Sequence, residues 1–140
     1  MTVTELLIPT DVEVAIKREI DASLVGTQFQ DAKVGTKIPL EPKPTHFIRV
    51  TATGGGQRDL VTDTPTVVLD AFSVDEQHAR DLSALAVAVL QRAGRVGTLG
   101  GVPCYGVRVG GLPANLPHPT VTTHFRFTAT VSAALRRASV

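Results

Sequence analysis

The chain has 140 residues, a formal net charge of +1 and a single cysteine, Cys104. This length is typical of one domain, and 43% hydrophobic with 19% charged residues indicates a folded core rather than disorder. The near-neutral charge argues against an affinity that depends on neutralising many phosphates. One cysteine excludes an intramolecular disulfide, and no apolar run approaches the roughly 20 residues that span a bilayer. We therefore expect a single domain over residues 1–140, with no disulfide and no membrane segment.

The first predicted element is a helix from about Thr10 to Leu24. Apolar residues recur every four positions from Val12 onward, as on the buried face of an amphipathic helix. Thr10 and Glu13 have the spacing of a capping box, and Pro9 disfavours a helix that begins earlier.

Alternating and apolar runs then predict three strands. Residues 34–38 form a short edge-like strand, and His46–Thr53 alternates between an apolar and a polar face. Three consecutive glycines are expected to end that strand and open a polar loop, Gly54–Asp63. Thr66–Phe72 is apolar on both faces except at Asp70, which is typical of a central strand covered on both sides.

The longest predicted helix runs from about Ser73 to Ala93. Ser73 and Glu76 repeat the capping-box spacing, a broad apolar stripe follows, and Gly94 is a natural stop. A glycine-rich loop is expected over Gly94–Gly101.

The remaining chain predicts two strands around an irregular segment. Residues 104–109 alternate, whereas two glycines and three prolines in Gly110–Pro119 are expected to prevent regular pairing. The last strand, Val121–Ser132, has the cleanest alternation, with Phe125 and Phe127 on its apolar face. The element order predicts an α+β fold: a mainly antiparallel sheet of about four to five strands with two helices packed on one face.

One short motif suggests an enzyme. Gly55-Gly56-Gln57 matches the tip of peptide-release factors and peptidyl-tRNA hydrolases. Those proteins carry a strongly basic tail for ribosomal RNA, which the charge of +1 and the ending Arg136–Val140 do not supply. A glycine-rich hairpin loop is the favoured interpretation, because so short a motif has low specificity.

Other residues that could carry chemistry have simpler explanations. The four histidines match no metal-ligand spacing, and Cys104 is expected to be a small buried hydrophobe. Asp70 is expected to be partly buried and to pair with Arg49, Arg108 or Arg126 on a neighbouring strand. We therefore expect no catalytic site, no metal and no cofactor.

Several segments follow one another in a characteristic order along the chain. They are Pro9–Glu13, Pro44–Gly55, the run Leu60–Pro65 with the strand that ends at Phe72, a long helix with Ala79 and Leu82, Gly110–Pro117 and Phe125–Thr128. In these segments, and so over most of its length, the chain resembles the tail terminator proteins of long, non-contractile-tailed phages of actinobacteria.

The resemblance implies a non-enzymatic subunit of a hexameric ring on the head-proximal end of the tail tube. Such a ring stops tube polymerisation, meets a head-completion protein and leaves a channel through which double-stranded DNA passes without specific binding. Expected partners are other copies of the chain, the tube protein and the head-completion protein, with no membrane. The expected location is the neck of the virion tail, and the host cytoplasm during assembly. Alternatives are another head–tail joining or minor tail protein, or a peptidyl-tRNA hydrolase acting through Gln57.

Two groups of residues are candidate sites within such a ring. Long loops usually have binding roles, so the glycine-rich segment is expected to contact a neighbouring subunit or the tube. The polar strand face is expected to border the channel, with a solvated sheet face as the equal alternative. The candidate interface residues are Gly54, Gly55, Gly56, Gln57, Arg58, Asp59 and Leu60, and the candidate channel residues are Arg49, His124 and Arg126.

Overall fold

In the computed structural model, which describes residues 5–140, two helices pack on one face of a six-stranded sheet. Residues 1–4 of the expected domain lie outside the described residues. The helices and strands are β1 (Leu7–Ile8), α1 (Val12–Leu24), β2 (Lys33–Gly35), β3 (His46–Gln57), β4 (Thr62–Ser73), α2 (Glu76–Val96), β5 (Thr98–Leu99), β6 (Val102–Asn115), β7 (Phe125–Arg136) and β8 (Ala138–Ser139).

The large sheet has the strand order β2-β3-β4-β7-β6-β5. Strand β2 pairs with β3 in parallel, and every other neighbouring pair is antiparallel. A separate two-stranded sheet joins β1 to β8 and so holds the two ends of the described chain together. The α+β class with two helices on one face is confirmed, whereas the expected four to five strands are too few. No helix within residues 5–140 is long and apolar enough to cross a membrane.

Both helices are where the apolar periodicity predicts them, but neither begins with the predicted cap. Asp11 caps α1 by accepting from the Val14 amide, and Asp75 caps α2 by accepting from the His78 amide. Glu13 instead accepts from the amide of Ala52 on β3 at 2.8 Å. Glu13 therefore connects α1 to β3 and does not cap its own helix.

Helix α2 continues past Gly94 to Val96, so the predicted stop is wrong. Gly97 ends the helix, with φ of 102° and its amide donating to the Ala93 carbonyl. Gly94 is needed for another reason: a Cβ there would lie 2.7 Å from the backbone nitrogen of Val107. The glycine therefore lets β6 pack closely against the helix, at a cost in helix propensity.

The prediction of a polar loop at residues 54–63 is wrong, because the three glycines belong to β3. Gly54 pairs with Thr66 and Gln57 pairs with Asp63, after a register shift between Ala52 and Gly54. Only residues 58–61 remain as the connection between β3 and β4. The amides of Arg58 and Asp59 both donate to the Thr62 carbonyl, so this tip is an ordered turn.

Gly55 provides a test of this hairpin. Its φ is 122°, and a Cβ would lie 2.3 Å from the Thr64 carbonyl oxygen, whereas Gly54, with φ of 104°, faces open space. We expect Gly54→Ala to lower the free energy of unfolding by about 1–3 kcal/mol through backbone strain alone. Gly55→Ala should cost clearly more, because a strand must also move. Urea denaturation of both variants measures the difference, and equal losses would contradict the paired hairpin.

The prediction of an irregular segment at Gly110–Pro119 is wrong for its first part, because β6 continues to Asn115. The pairing of β6 with β7 contains register shifts, one of them between Gly111 and Ala114, and this interval contains Pro113. Because β6 lies next to the sheet edge, a residue without an amide hydrogen is tolerated there. Bulges bend and twist a strand, which lets a sequence rich in glycine and proline stay in the sheet.

The last strand begins at Phe125, four residues later than predicted. Phe127 is 4% exposed, but Phe125 is 44% exposed, so only one of the two predicted core phenylalanines is buried. Val121 precedes the strand and packs with Phe47 and Phe72 in a small second core on the sheet face opposite the helices. The Phe47 and Phe72 rings are stacked with centroids 4.4 Å apart. The alternation in β3 and β7 does not predict a second core on that face, whereas the apolar run of β4 predicts a strand covered on both sides.

Candidate functional site

The sheet face opposite the helices carries a charged network around Asp70, near the end of β4. Asp70 on β4 is 3% exposed, and its Oδ2 accepts from Arg49 Nε at 3.2 Å and from Arg49 Nη2 at 2.9 Å. Its Oδ1 accepts from Thr128 Oγ1 at 2.7 Å and lies 3.8 Å from Arg126 Nη1. These neighbours follow from the register, since Asp70 lies directly opposite Arg49 on β3 and Thr128 on β7. The predicted ion pair is confirmed for Arg49 and Arg126.

Arg108, the third candidate partner, lies elsewhere. It lines a shallow groove with Thr64 and Ser132 near the other end of the same sheet face. Two arginines therefore accompany one carboxylate in the network, and one positive charge is left over. An arginine can donate five hydrogen bonds, so Arg126 also donates from Nε to the Leu116 carbonyl at 2.6 Å.

The loop between β6 and β7 folds over this end of the sheet and contains two histidines, His118 and His124. His118 Nδ1 accepts from the amides of Thr120 and Val121 at 3.2 and 3.1 Å. A neutral ring that accepts at Nδ1 carries its proton on Nε2 and can donate there. Burial, followed by the charges of Arg126 and Arg49, lowers the pKa of His118. The neutral tautomer with Nε2 protonated is therefore favoured.

His124, a predicted channel residue, is also engaged within the chain. Its Nε2 lies 2.8 Å from the Pro44 carbonyl oxygen and its Nδ1 lies 2.8 Å from Thr123 Oγ1. Its ring is 5.2 Å from that of Phe47. The structure thus brings Arg49 and Arg126 together around Asp70, and places His124 beside the second core at the same end of the sheet.

A cavity of about 260 Å³ opens where the loop meets the ends of β6 and β7. The charged or titratable residues on its wall are His118, His124 and Arg126, and the apolar residues are Pro117, Val121 and the half-exposed Phe125. Sequence reasoning did not identify this site. The loop has no periodicity, so nothing in the sequence indicates which of its side chains meet.

The candidate interface residues lie at the opposite end of the sheet. Gln57 Nε2 donates to the Asp59 carbonyl at 2.9 Å, and Asp59 Oδ1 accepts from the Val61 amide at 2.9 Å. That backbone hydrogen bond is the main reason why the pKa of Asp59 is lowered. The side chain of Leu60 is 84% exposed beside it. The tip therefore presents an ionised carboxylate and a large apolar side chain on an ordered turn.

The Gly-Gly-Gln motif lies at the end of a paired strand. Gly55 packs directly on the backbone of β4, and the Gln57 amide is used within the turn. Cys104 is buried as predicted, and burial raises the pKa of its thiol. Within residues 5–140 no group of three or more His, Cys, Asp or Glu side chains is placed to hold a metal ion.

His46 makes the stability of this fold dependent on pH. Its ring packs edge-on against Phe29 and His78, and its Nδ1 lies 2.9 Å from Ser73 Oγ. Burial, followed by the charges of His78 and His124, lowers its pKa below 6.5, although two nearby carboxylates act in the opposite direction. The unfolded chain therefore binds a proton at a pH where the folded chain does not. This contribution to stability is complete above pH 6.5 and is lost as the pH falls toward the folded-state pKa.

We therefore expect the free energy of unfolding to decrease between pH 7 and pH 5, and His46→Gln to make that decrease shallower. Chemical denaturation at several pH values measures both slopes. Lys17→Gln, at an exposed position of α1, is the control and should leave the slope unchanged. A slope in His46→Gln equal to that of the native chain would show that His46 does not contribute.

The fold has a counterpart among solved structures. A chain in a structure described as the virion of native gene transfer agent (GTA) particle superposes with a TM-score of 0.60. The match covers 89% of this chain and 94% of that chain at 13% sequence identity. No protein family model and no curated protein matches the sequence. At this identity the similarity shows that the two chains share a fold over almost their whole lengths.

Proposed function

We propose that the protein is a structural subunit of a phage-like virion and, more specifically, the terminator of its tail tube. The observation that carries the proposal is the shared fold with a chain of a gene transfer agent virion over 89% of this chain and 94% of that one. The resemblance of the ordered sequence segments to tail terminators supports the finer assignment. In that role the protein forms a ring on the head-proximal end of the tube, stops its growth and offers a surface to the head-completion protein.

The sheet has strand edges on which such a ring can be built. Among the described residues, β5 pairs with β6 only at Val102 and Pro103, and β2 pairs with β3 only from Phe47 to Arg49. Beyond these residues, the outer edges of β3 and β6 have no described strand beside them. An unpaired strand edge is a common place for contact with another chain. Glu13 already covers the β3 edge at Ala52, so the β6 edge is the more accessible of the two.

The charge of the network around Asp70 is compatible with a position on the wall of a DNA channel. We propose that Arg49, His124 and Arg126 lie toward the channel, because they are the charged or titratable residues on the polar sheet face that the alternation of the strands predicts. Asp70 offsets part of the charge of the two arginines, and His124 is bonded within the chain. Such a surface is only weakly positive. A strongly basic wall would bind the phosphates of passing DNA and slow its passage, whereas this surface would not.

Electron microscopy of particles produced without this protein tests the assignment. A terminator predicts tails much longer than normal, because nothing stops polymerisation of the tube. Tails of normal length without attached heads would instead assign a head–tail joining role. Normal virions would exclude both. Restoring the native chain is the control, and it should bring back the normal length distribution.

A further inference from the structure

The two ends of the sheet have complementary surfaces. At one end, the turn between β3 and β4 projects Asp59 and Leu60, which we call the hairpin tip (residues 58–61). Asp59 Oδ1 is held by the Val61 amide, the carboxylate also interacts with Thr62, and Oδ2 lies 4.0 Å from Arg58 Nε. The Asp59 side chain is still 50% exposed, so a partner can reach it. Because the turn is ordered by its own hydrogen bonds, little conformational entropy would be lost when it docks.

At the other end, the loop cavity (lined by Asn115, Pro117, His118, Val121, Thr122, His124, Phe125 and Arg126) combines an apolar wall with positive charge. Arg126 shares Asp70 with Arg49, so one positive charge in the network is not offset. The nearby carboxylate of Glu76 is within 4.0 Å of Arg80 and accepts from Asn115, so it is already partnered. Arg126 and the Nε2 hydrogen of His118 are suitable donors for a carboxylate.

We propose that the hairpin tip of one copy docks into the loop cavity of the next copy. Leu60 would pack against Phe125 and Val121, and the Asp59 carboxylate would accept from Arg126 and His118. Arg126 would then lie where the contact between copies meets the channel. This rests on the proposed function, because a ring needs a contact between two different surfaces of the same chain. Such a head-to-tail contact closes into a ring when the rotation between copies permits closure.

The contact cannot form within one copy. The 12 residues of β4 connect the neighbourhood of the tip to Ser73, which lies opposite Phe125 in the sheet. At about 3.3 Å per residue, the two sites are roughly 35 Å apart. A disulfide requires Cα atoms within about 7 Å. A bond between cysteines at these two sites therefore reports contact between copies.

The test is disulfide cross-linking of the Leu60→Cys/Phe125→Cys double variant. Both replaced side chains are largely or partly exposed, and the native Cys104 is buried. Purified full-length protein and assembled particles are oxidised and analysed on non-reducing gels. We expect a ladder of covalent oligomers that ends at the number of copies in the ring. A mixture of the two single variants should stop at dimers, because each copy then carries only one cysteine of the pair.

Leu60→Cys/Val25→Cys is the matched control, since Val25 is 75% exposed just after α1 and belongs neither to the hairpin tip nor to the lining of the loop cavity. A ladder no stronger than that of this control, in both protein and particles, would overturn the proposal. A second measurement uses Asp59→Lys and Leu60→Ser, each of which should weaken self-association at least tenfold in sedimentation experiments. Val25→Ser should leave it unchanged.

These results separate the contact from the proposed function. If Leu60→Ser chains assemble and stop tails at normal length, while loss of the whole protein gives over-long tails, the docking proposal is wrong and the terminator assignment stands. If cross-linking gives the ladder but loss of the protein leaves normal tails, the contact stands and the terminator assignment is wrong.

Discussion

Asp70→Ala is expected to lower the free energy of unfolding by about 3 kcal/mol, because the change leaves two partly buried arginines without their carboxylate. The side chains of Arg49 and Arg126 are 26% and 17% exposed. Water can therefore solvate the two unpaired arginines, and this offsets part of the lost stability. This places the expected value at the low end of the range for buried ion pairs. Guanidinium denaturation followed by circular dichroism measures it.

Two other changes make the Asp70 result interpretable. Thr128→Ala removes one hydrogen bond to the same carboxylate and should cost about 1–2 kcal/mol. Asp21→Ala removes an exposed carboxylate that pairs with Lys17 one helical turn away, and it should cost less than about 0.5 kcal/mol. Equal losses for Asp70→Ala and Asp21→Ala would show that the network on the sheet does not stabilise the fold.

Phe72→Ala is expected to cost about 3–5 kcal/mol, as is usual when a large side chain is removed from a packed core. Phe72 is fully buried and stacks on Phe47, on the sheet face away from the helices. Phe125→Ala makes the same truncation at a side chain that is 44% exposed, and it should cost less than about 1 kcal/mol.

Thermal and urea unfolding of the two alanine variants compare these sites directly. The Phe72→Ala variant should also loosen the loop that carries Val121 and His118, since both residues contact this core. Faster amide exchange at residues 118–121 is the expected sign. Similar stability losses for the two variants would mean that the second core does not exist as described.

The sequence by itself determined the features that depend on local periodicity. Four-residue spacing places α1 and α2, because one face of a helix must be apolar to be buried. Period-two alternation places most of β3 and β7, since successive side chains point to opposite faces of a sheet. A run that is apolar on both faces places most of β4, as expected of a central strand. An acid in an otherwise apolar strand must find a cation, so the pairing of Asp70 with an arginine was predictable as well. The sheet register then selected Arg49 and Arg126 and left out Arg108.

Only the tertiary structure decided how the glycine- and proline-rich segments are used. Local propensity predicts loops at Gly54–Asp63 and Gly110–Pro119, yet pairing with β4 and β7 draws most of both segments into the sheet. Neighbouring strands supply hydrogen bonds that outweigh the conformational entropy of glycine, and bulges absorb Pro113. The second core has the same origin, because it joins Phe47, Phe72 and Val121 from distant parts of the chain on the polar sheet face. The loop cavity is lined by residues 115–126, and this stretch has no periodicity that indicates which of its side chains meet.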